Sequence, residues 1–126
     1  MDIGIDLGTS NVLVYVKGRG VVINQPSVVA YEKSSKRIIA IGNKAKKMIG
    51  KTPESIEVVR PLVKGVVSDY IVTERMLKAF IRSAMEKRTG VGRPKICVCV
   101  PSGVTEVERR AVEEAVYRTG AKSVYV

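Results

Sequence analysis

The sequence predicts an α/β fold built on a mixed β-sheet, and the order of its periodic segments is the main reason. The first thirty positions open on an apolar alternation and continue with apolar runs separated by a glycine turn, which is typical of β-strands joined in antiparallel pairs. Later segments follow one another as helix, strand, helix and strand. A strand–helix–strand unit makes its two strands parallel. One sheet is therefore expected to contain both antiparallel and parallel pairs.

Three antiparallel strands are expected to open the chain. "MDIGIDLG" alternates, "NVLVYVKG" is mostly apolar, and "GVVINQPSVVAY" follows a tight turn that contains Gly18 and Gly20. A further short strand, "KRIIAIG", comes next. It leads into a short helix, "NKAKKMIG", with Asn43 as its N-cap and Gly50 just past its end.

A longer amphipathic helix is predicted from Thr73, because apolar residues then recur every three or four positions up to Met85. Strand "KICVCV", a helix from Thr105 to about Thr119, and strand "KSVYV" complete the order. This succession is typical of a ribonuclease H-like sheet. The basic, irregular residues 33–71 are predicted to form a small subdomain inserted into that sheet.

The chain is strongly basic, with a formal net charge of +10 at 126 residues. Seven basic residues fall between positions 33 and 51 with no acidic residue among them. One interpretation is an anionic partner, which would be a phospholipid surface, an acidic protein face or nucleic acid. With one Phe and no Trp there is no stacking platform, so we expect no specific nucleic acid. A solvated basic face that maintains solubility is the other interpretation.

Cys97 and Cys99 lie two positions apart in an apolar run, so on a strand both point to the same face. We interpret them as buried packing residues, since there is no histidine and no second cysteine pair for a zinc site. Free thiols fit a reducing cytosol. No apolar run approaches the roughly 20 residues of a membrane span, and a strand starts at the first residue. We therefore expect a cytoplasmic protein that is not exported.

The octet "GIDLGTSN" is the first candidate site. It joins two strands, so backbone N–H groups around Gly8, the hydroxyls of Thr9 and Ser10 and the amide of Asn11 are suited to hold a phosphate. Asp6 would face the same anion, which is repulsive unless a divalent cation lies between them. Magnesium fits, because it is often held through one carboxylate, the phosphates and water. A plain turn is the alternative, since these residue types are common in turns.

Glu108 is the second candidate. It follows Thr105 at capping-box spacing, so one interpretation is that it only bonds back to the N-cap backbone. A carboxylate in the first turn of a helix, above the carboxyl end of a strand, is also placed to orient a water toward a γ-phosphate. Spacing alone leaves both roles open.

Several stretches together resemble one family, the MreB and Mbl bacterial actins. They are "IGIDLGTSN", "NQPSVVAY", "AIGNKAKKMIGKTP", "RPLVKGVVSDYIVTERMLKAFI" and "VPSGVTEVERRAVEEA", and the resemblance runs from Met1 to Val126. It implies an actin-like ATPase that self-associates into filaments on the anionic inner face of the cytoplasmic membrane. With the cell-wall elongation machinery, such filaments guide wall synthesis and rod shape.

The resemblance also assigns roles to residues. Asp6 matches a position near magnesium, and residues 8–11 match the first loop around the phosphates of ATP. Glu108 matches the residue that positions the attacking water, so a catalytic role is expected beside the cap. These assignments make ATP and Mg²⁺ the expected cofactors.

The domain organisation follows from the same resemblance. Residues 1–32 and 72–126 correspond to the actin-like subdomain IA, and residues 33–71 to the inserted subdomain IB. Family members are more than twice this length, so we expect the C-terminal half of the fold, with the opposite wall of the ATP site, to be absent. Weak nucleotide binding and little or no hydrolysis are then expected. The alternative function is a nonenzymatic basic interaction module.

Membrane contact is implied as well. Some members insert bulky apolar residues from a loop before the strand at 96–100, and here that loop reads "RTGVGRPK", with Val91 as its one apolar residue. We therefore expect electrostatic attraction between basic residues and anionic lipid to contribute, at about 1 kcal/mol for each well-placed Lys or Arg.

Overall fold

A computed structural model describes residues 2–8, 10–63, 66–67, 69–85 and 93–126 of the chain. In chain order its elements are β1 (Asp2–Leu7), β2 (Asn11–Val16), β3 (Gly20–Pro26), β4 (Val29–Glu32), β5 (Ile38–Ile41), α1 (Asn43–Lys46), β6 (Ile56–Val59), β7 (Leu62–Val63), β8 (Val66–Val67), α2 (Tyr70–Met85), β9 (Lys95–Cys99), α3 (Glu106–Tyr117) and β10 (Ser123–Tyr125). No helix among these is both long enough and apolar enough to cross a bilayer.

A five-stranded mixed sheet forms the main body, in the order β10-β9-β1-β2-β3. The pairs β1–β2 and β2–β3 are antiparallel, whereas β1–β9 and β9–β10 are parallel. Helix α3 connects β9 to β10, as the strand–helix–strand pattern requires. The mixed sheet with an antiparallel opening and a parallel end, predicted from the sequence, is confirmed.

Helices α2 and α3 pack on the same face of this sheet and contact each other. Every second residue of the central strands points into the core that results, which explains the alternation in the sequence. The buried strand residues are Ile3, Ile5, Leu7, Val12, Val14, Val16, Ile96 and Val98. The helices contribute Met76, Leu77, Phe80, Ile81, Val112 and Val116.

The prediction that the two cysteines are buried packing residues is wrong. Cys97 and Cys99 do share one face of β9, but both are exposed, while Ile96 and Val98 point into the core. The reason is that α2 and α3 cover one face of the sheet, and the thiols point to the other.

The prediction that "GVVINQPSVVAY" forms a single third strand is also wrong. Strand β3 ends at Pro26, and β4 pairs with β5 and β6 in a separate three-stranded sheet. The chain turns between them, where the Val28 N–H bonds to the Pro26 carbonyl and the Ser27 N–H bonds to the Ser10 carbonyl. This second sheet therefore begins before position 33, and the division into subdomains IA and IB stays a prediction.

Helix α1 does not begin as predicted. Its N-cap is Gly42, not Asn43, and glycine has no side chain that could cap the helix. Instead, the Asn43 N–H donates to Oε1 of Gln25 on β3, at 3.2 Å. A Cβ at Gly42 would overlap that amide group, and its φ of +63° also favours glycine. The cap acceptor thus comes from a distant strand.

Helix α2 begins at Tyr70, three residues before the predicted start at Thr73. Asp69 explains the difference, because its Oδ1 accepts from the Val72 N–H at 3.1 Å and its carbonyl accepts from the Thr73 hydroxyl at 2.7 Å. Its Oδ2 lies 2.8 Å from Nζ of Lys36, in the loop between β4 and β5. One carboxylate therefore caps α2 and ties the second sheet to it.

Replacing Asp69 with alanine is expected to lower the free energy of unfolding by about 1–2 kcal/mol, because α2 loses its N-cap. Asp69→Asn keeps a good cap and removes only the ion pair with Lys36. That pair is expected to contribute less than about 1 kcal/mol, since the Lys36 side chain is 37% exposed. Urea denaturation of the two variants separates the cap from the pair, and equal losses would contradict this division.

Burial alone would raise the pKa of Asp69, but the hydrogen bonds from Lys36 and the Val72 N–H, with the charge of Lys36, hold it below the usual value. A pKa lowered by folding stabilises the folded state above the pKa of the unfolded carboxyl, about 3.9. That stabilisation is lost as the pH falls through the folded-state pKa. The stability advantage of wild type over Asp69→Asn should therefore shrink below about pH 4. A difference independent of pH would contradict the ionic contribution.

Candidate functional site

The turn between β1 and β2 is closed tightly at its base. The Gly8 N–H donates to the Asn11 carbonyl at 3.1 Å. A Cβ built on Gly8 would lie 2.9 Å from that same oxygen, closer than real Cβ atoms approach, so the turn requires glycine here. Ser10 and Asn11 are exposed at the turn. Thr9, predicted as part of the phosphate cradle, lies outside the described residues.

Ser27 holds the turn from the end of β3, and sequence reasoning missed it. Its N–H donates to the Ser10 carbonyl at 2.9 Å, and the residue is fully buried. Its hydroxyl oxygen has no hydrogen-bond partner among the described residues. The one signal in the sequence was a small polar residue between Pro26 and two valines, because the contact itself is made by backbone and leaves no side-chain pattern.

Asp6 lies on the face of the sheet that α2 and α3 leave uncovered, and its carboxylate is exposed. Its neighbours in the sheet are Leu13 on β2 and Cys99 on β9. Within the described ranges no three His, Cys, Asp or Glu side chains group as metal ligands. A single hard oxygen donor fits Mg²⁺, which keeps several waters and binds through one or two carboxylates with phosphates.

Glu108 lies in the first turn of α3 and is only 6% exposed. The Glu108 N–H donates to Oγ1 of Thr105 at 3.2 Å, and Oε1 of Glu108 accepts from the Thr105 N–H at 3.1 Å. Both bonds of the capping box are present, so the capping role is confirmed. The same bonds fix the position of the carboxylate.

The topology brings the turn at Gly8 and the start of α3 to one end of the sheet. Strands β1 and β9 are parallel neighbours, with Asp6 paired to Cys99. The turn that follows β1 and the segment that leads from β9 into α3 therefore both leave the sheet at the carboxyl ends of these strands. Carboxyl ends of parallel strands are where open α/β sheets bind ligands. Backbone donors, two carboxylates and the positive end of the α3 dipole are thus suited to bind a phosphate group with a cation.

Comparison with known proteins identifies the family. The family model for MreB/Mbl protein matches residues 1–126, the whole chain. Mbl, a cell shape-determining protein of Bacillus subtilis, is 48% identical over 125 residues, which cover 99% of this chain and 37% of that protein. MreB of Escherichia coli K12 is 46% identical over 129 residues, with the same shares covered. The chain thus spans little more than a third of the length of these curated relatives.

Solved structures share the fold. MreB5 of Spiroplasma citri bound to ADP superimposes with a TM-score of 0.80 at 43% identity, covering 98% of this chain and 36% of that one. The same protein bound to AMPPNP gives 0.78 at 37% identity, covering 98% and 37%. A subunit of the MamK double helical filament, at 22% identity, gives 0.77 over 98% and 39% and supports the fold alone. The actin-like fold is therefore confirmed, and the chain belongs to the MreB/Mbl family of actin-like cytoskeletal proteins.

Proposed function

We propose that this chain supplies one phosphate-binding wall of the ATP site of an actin-like filament protein. The observation that carries the proposal is the tight turn at Gly8. It lies at the same end of the sheet as Glu108, which is fixed in the capping box of α3. The ADP and AMPPNP complexes of the Spiroplasma citri relative support nucleotide as the ligand.

In this proposal the backbone N–H groups of residues 9–11 donate to the nucleotide phosphates, with the side chains of Thr9, Ser10 and Asn11 beside them. The Gly8 N–H keeps the turn closed on the Asn11 carbonyl, and the missing side chain of Gly8 lets the phosphates approach the backbone. Asp6 holds Mg²⁺ through water or directly, and the ion neutralises charge between its carboxylate and the phosphates. Because the turn is already closed at Gly8, its backbone is ordered before the nucleotide binds, and binding costs little further conformational entropy.

We assign to Glu108 the positioning of the attacking water. A carboxylate accepts several hydrogen bonds, so holding the Thr105 N–H and receiving one from a water are compatible. The capping box then has a second purpose, because it fixes the acceptor that the water must meet. The cap and the positioning of water become two duties of one side chain.

The rest of the proposal concerns a full-length family member, since this chain spans about 37% of the length of its Bacillus subtilis relative. We propose self-association into filaments at the anionic inner membrane surface, together with the cell-wall elongation machinery, to set rod shape. The names of the relatives as cell shape-determining proteins support this role. The chain alone buries only part of a nucleotide, so weak binding and little or no hydrolysis are expected.

Titrating the chain with ATP and MgCl₂ in a calorimeter tests the proposal. We expect a weak, saturable heat that is lost in Asp6→Ala. Asp2→Ala is the matched control, since Asp2 is an exposed aspartate on the same face of the same strand, four residues away. Equal heats from wild type and Asp6→Ala, or a loss in Asp2→Ala alone, would contradict the site.

The second candidate, a nonenzymatic interaction module, is favoured by one observation. The exposed lysines around α1 form no ion pairs with the described residues. Binding to anionic vesicles or DNA that is lost at high salt and indifferent to Asp6→Ala would support this function.

A further inference from the structure

Helix α1 and the turn that follows it present four lysines and one isoleucine to solvent. We call residues 44–51 the lysine turn. The exposed side chains are those of Lys44, Lys46, Lys47, Ile49 and Lys51, and that of Ile49 is 52% exposed. In the part of the chain that the structure describes, none of these lysines forms an ion pair. Their charge is therefore not neutralised within the described fold.

The lysine turn is anchored on its inner side. Ala45 is fully buried, and Met48 is partly buried against the same cluster, which includes Val28 and Ala30 of the region around β4. The N–H of Gly42 also bonds to the Val28 carbonyl at 2.9 Å. Since the inner residues are fixed, the lysines and Ile49 point away from the second sheet.

Backbone hydrogen bonds hold Ile49 on the side of the lysine turn that faces away from the second sheet. Its N–H donates to the Lys46 carbonyl at 3.3 Å, and the Lys51 N–H donates to the Met48 carbonyl at 3.0 Å. Gly50 between them has a φ of +73°, which lets the chain reverse. An apolar side chain is thus held among cationic ones in a compact turn.

This combination matches one kind of partner better than the others. A single exposed isoleucine is ordinary, but an isoleucine surrounded by lysines fits the boundary between lipid headgroups and acyl chains. Lysines there reach anionic headgroups while their stems lie on apolar surface. A nucleic acid offers no acyl layer for Ile49, and the lysine turn holds no aromatic residue on which a base could stack.

We propose that the lysine turn is a contact site for anionic lipid, with Lys46, Lys47 and Lys51 at the headgroups and Ile49 at the acyl boundary. The inference rests on the membrane association in the proposed function and names the residues that make it. It places the contact on the second sheet, apart in sequence from the loop "RTGVGRPK".

Cosedimentation of the 126-residue chain with vesicles tests the charge component. Vesicles of phosphatidylglycerol and phosphatidylcholine should bind it, pure phosphatidylcholine should not, and added NaCl should release it. The double variant Lys46→Ala/Lys47→Ala should weaken binding roughly 25-fold, at about fivefold for each lysine. The control Lys78→Ala/Lys122→Ala removes two exposed lysines elsewhere, and it should weaken binding much less.

Ile49→Ser tests the apolar component without a change in charge. It should weaken binding to the same vesicles by roughly tenfold, since the side chain no longer enters the acyl boundary. Val107→Ser is the control, because Val107 is 71% exposed on α3 and should leave binding unchanged. Circular dichroism confirms that each variant compared is folded.

The outcomes separate this inference from the function on which it rests. If the wild-type chain binds no vesicle, both the membrane part of the proposed function and the lysine turn are overturned. If wild type binds but the Lys46/Lys47 and Lys78/Lys122 pairs weaken binding equally, only the lysine turn is overturned. Tighter binding to duplex DNA through the same lysines, with Ile49→Ser neutral, would assign the site to nucleic acid and overturn the lipid contact.

Discussion

Replacing Glu108 with glutamine in a full-length protein that carries this sequence is expected to lower ATP turnover by about a hundredfold or more. The amide is a much weaker acceptor than the carboxylate and cannot take the proton of the attacking water. Glutamine is nevertheless accepted at this position of a capping box, so the start of α3 should stay intact. Steady-state phosphate release and urea denaturation, measured side by side, show both effects.

Two further variants separate the duties of this side chain. Thr105→Ala removes the hydroxyl that caps α3 and should cost about 1 kcal/mol of stability while leaving most of the turnover. Glu108→Ala should lose both stability and turnover. Normal turnover in Glu108→Gln would leave the residue with its capping role alone.

Phe80→Ala is expected to lower the free energy of unfolding by about 3–5 kcal/mol. Phe80 is 1% exposed on α2, in the core between that helix and the sheet, so its loss leaves a cavity. Because whole domains are stable by only about 5–15 kcal/mol, much of the chain should unfold at moderate denaturant. Urea denaturation followed by circular dichroism measures the change.

A surface position provides the comparison for this core variant. Val107→Ala, at a residue 71% exposed on α3, should change the free energy of unfolding by no more than about 0.5 kcal/mol. If Phe80→Ala were as mild as Val107→Ala, α2 would not cover the sheet as described.

Local patterns predicted the main sheet because its determinants are local. Alternation along "MDIGIDLG" follows from one buried face, and the apolar run "NVLVYVKG" indicated the second strand. The spacing of Thr105 and Glu108 specified a cap that the structure contains. The parallel pair β9–β10 followed from the helix between its strands. Each of these inferences needed only residues close in sequence.

The errors came from contacts between distant residues. Cys97 and Cys99 are exposed because of which sheet face the helices cover, and no pattern within β9 specifies that. Gln25 provides the acceptor at the start of α1 from 18 residues away. The break at Ser27 divides an apolar stretch between two sheets, although its composition suits one continuous strand.

The candidate site shows the same division. The turn at Gly8 and the cap by Glu108 were predicted because a tight turn and a helix start have residue preferences of their own. Ser27 was missed, since it holds the turn through its backbone N–H and leaves no side-chain pattern. The parallel pairing of β1 with β9 places the two candidate segments at the same end of the sheet, and no single segment predicts that pairing.

The most direct test of the phosphate-binding turn is a titration of the ¹⁵N-labelled chain with ATP, followed through its backbone amide resonances. We expect saturable shifts at the amides of Gly8, Ser10 and Asn11 that strengthen with Mg²⁺ and are lost in Asp6→Ala. Such a measurement tolerates the weak binding expected of this chain. Amides that stay in place at these three residues while others shift to saturation would contradict the account.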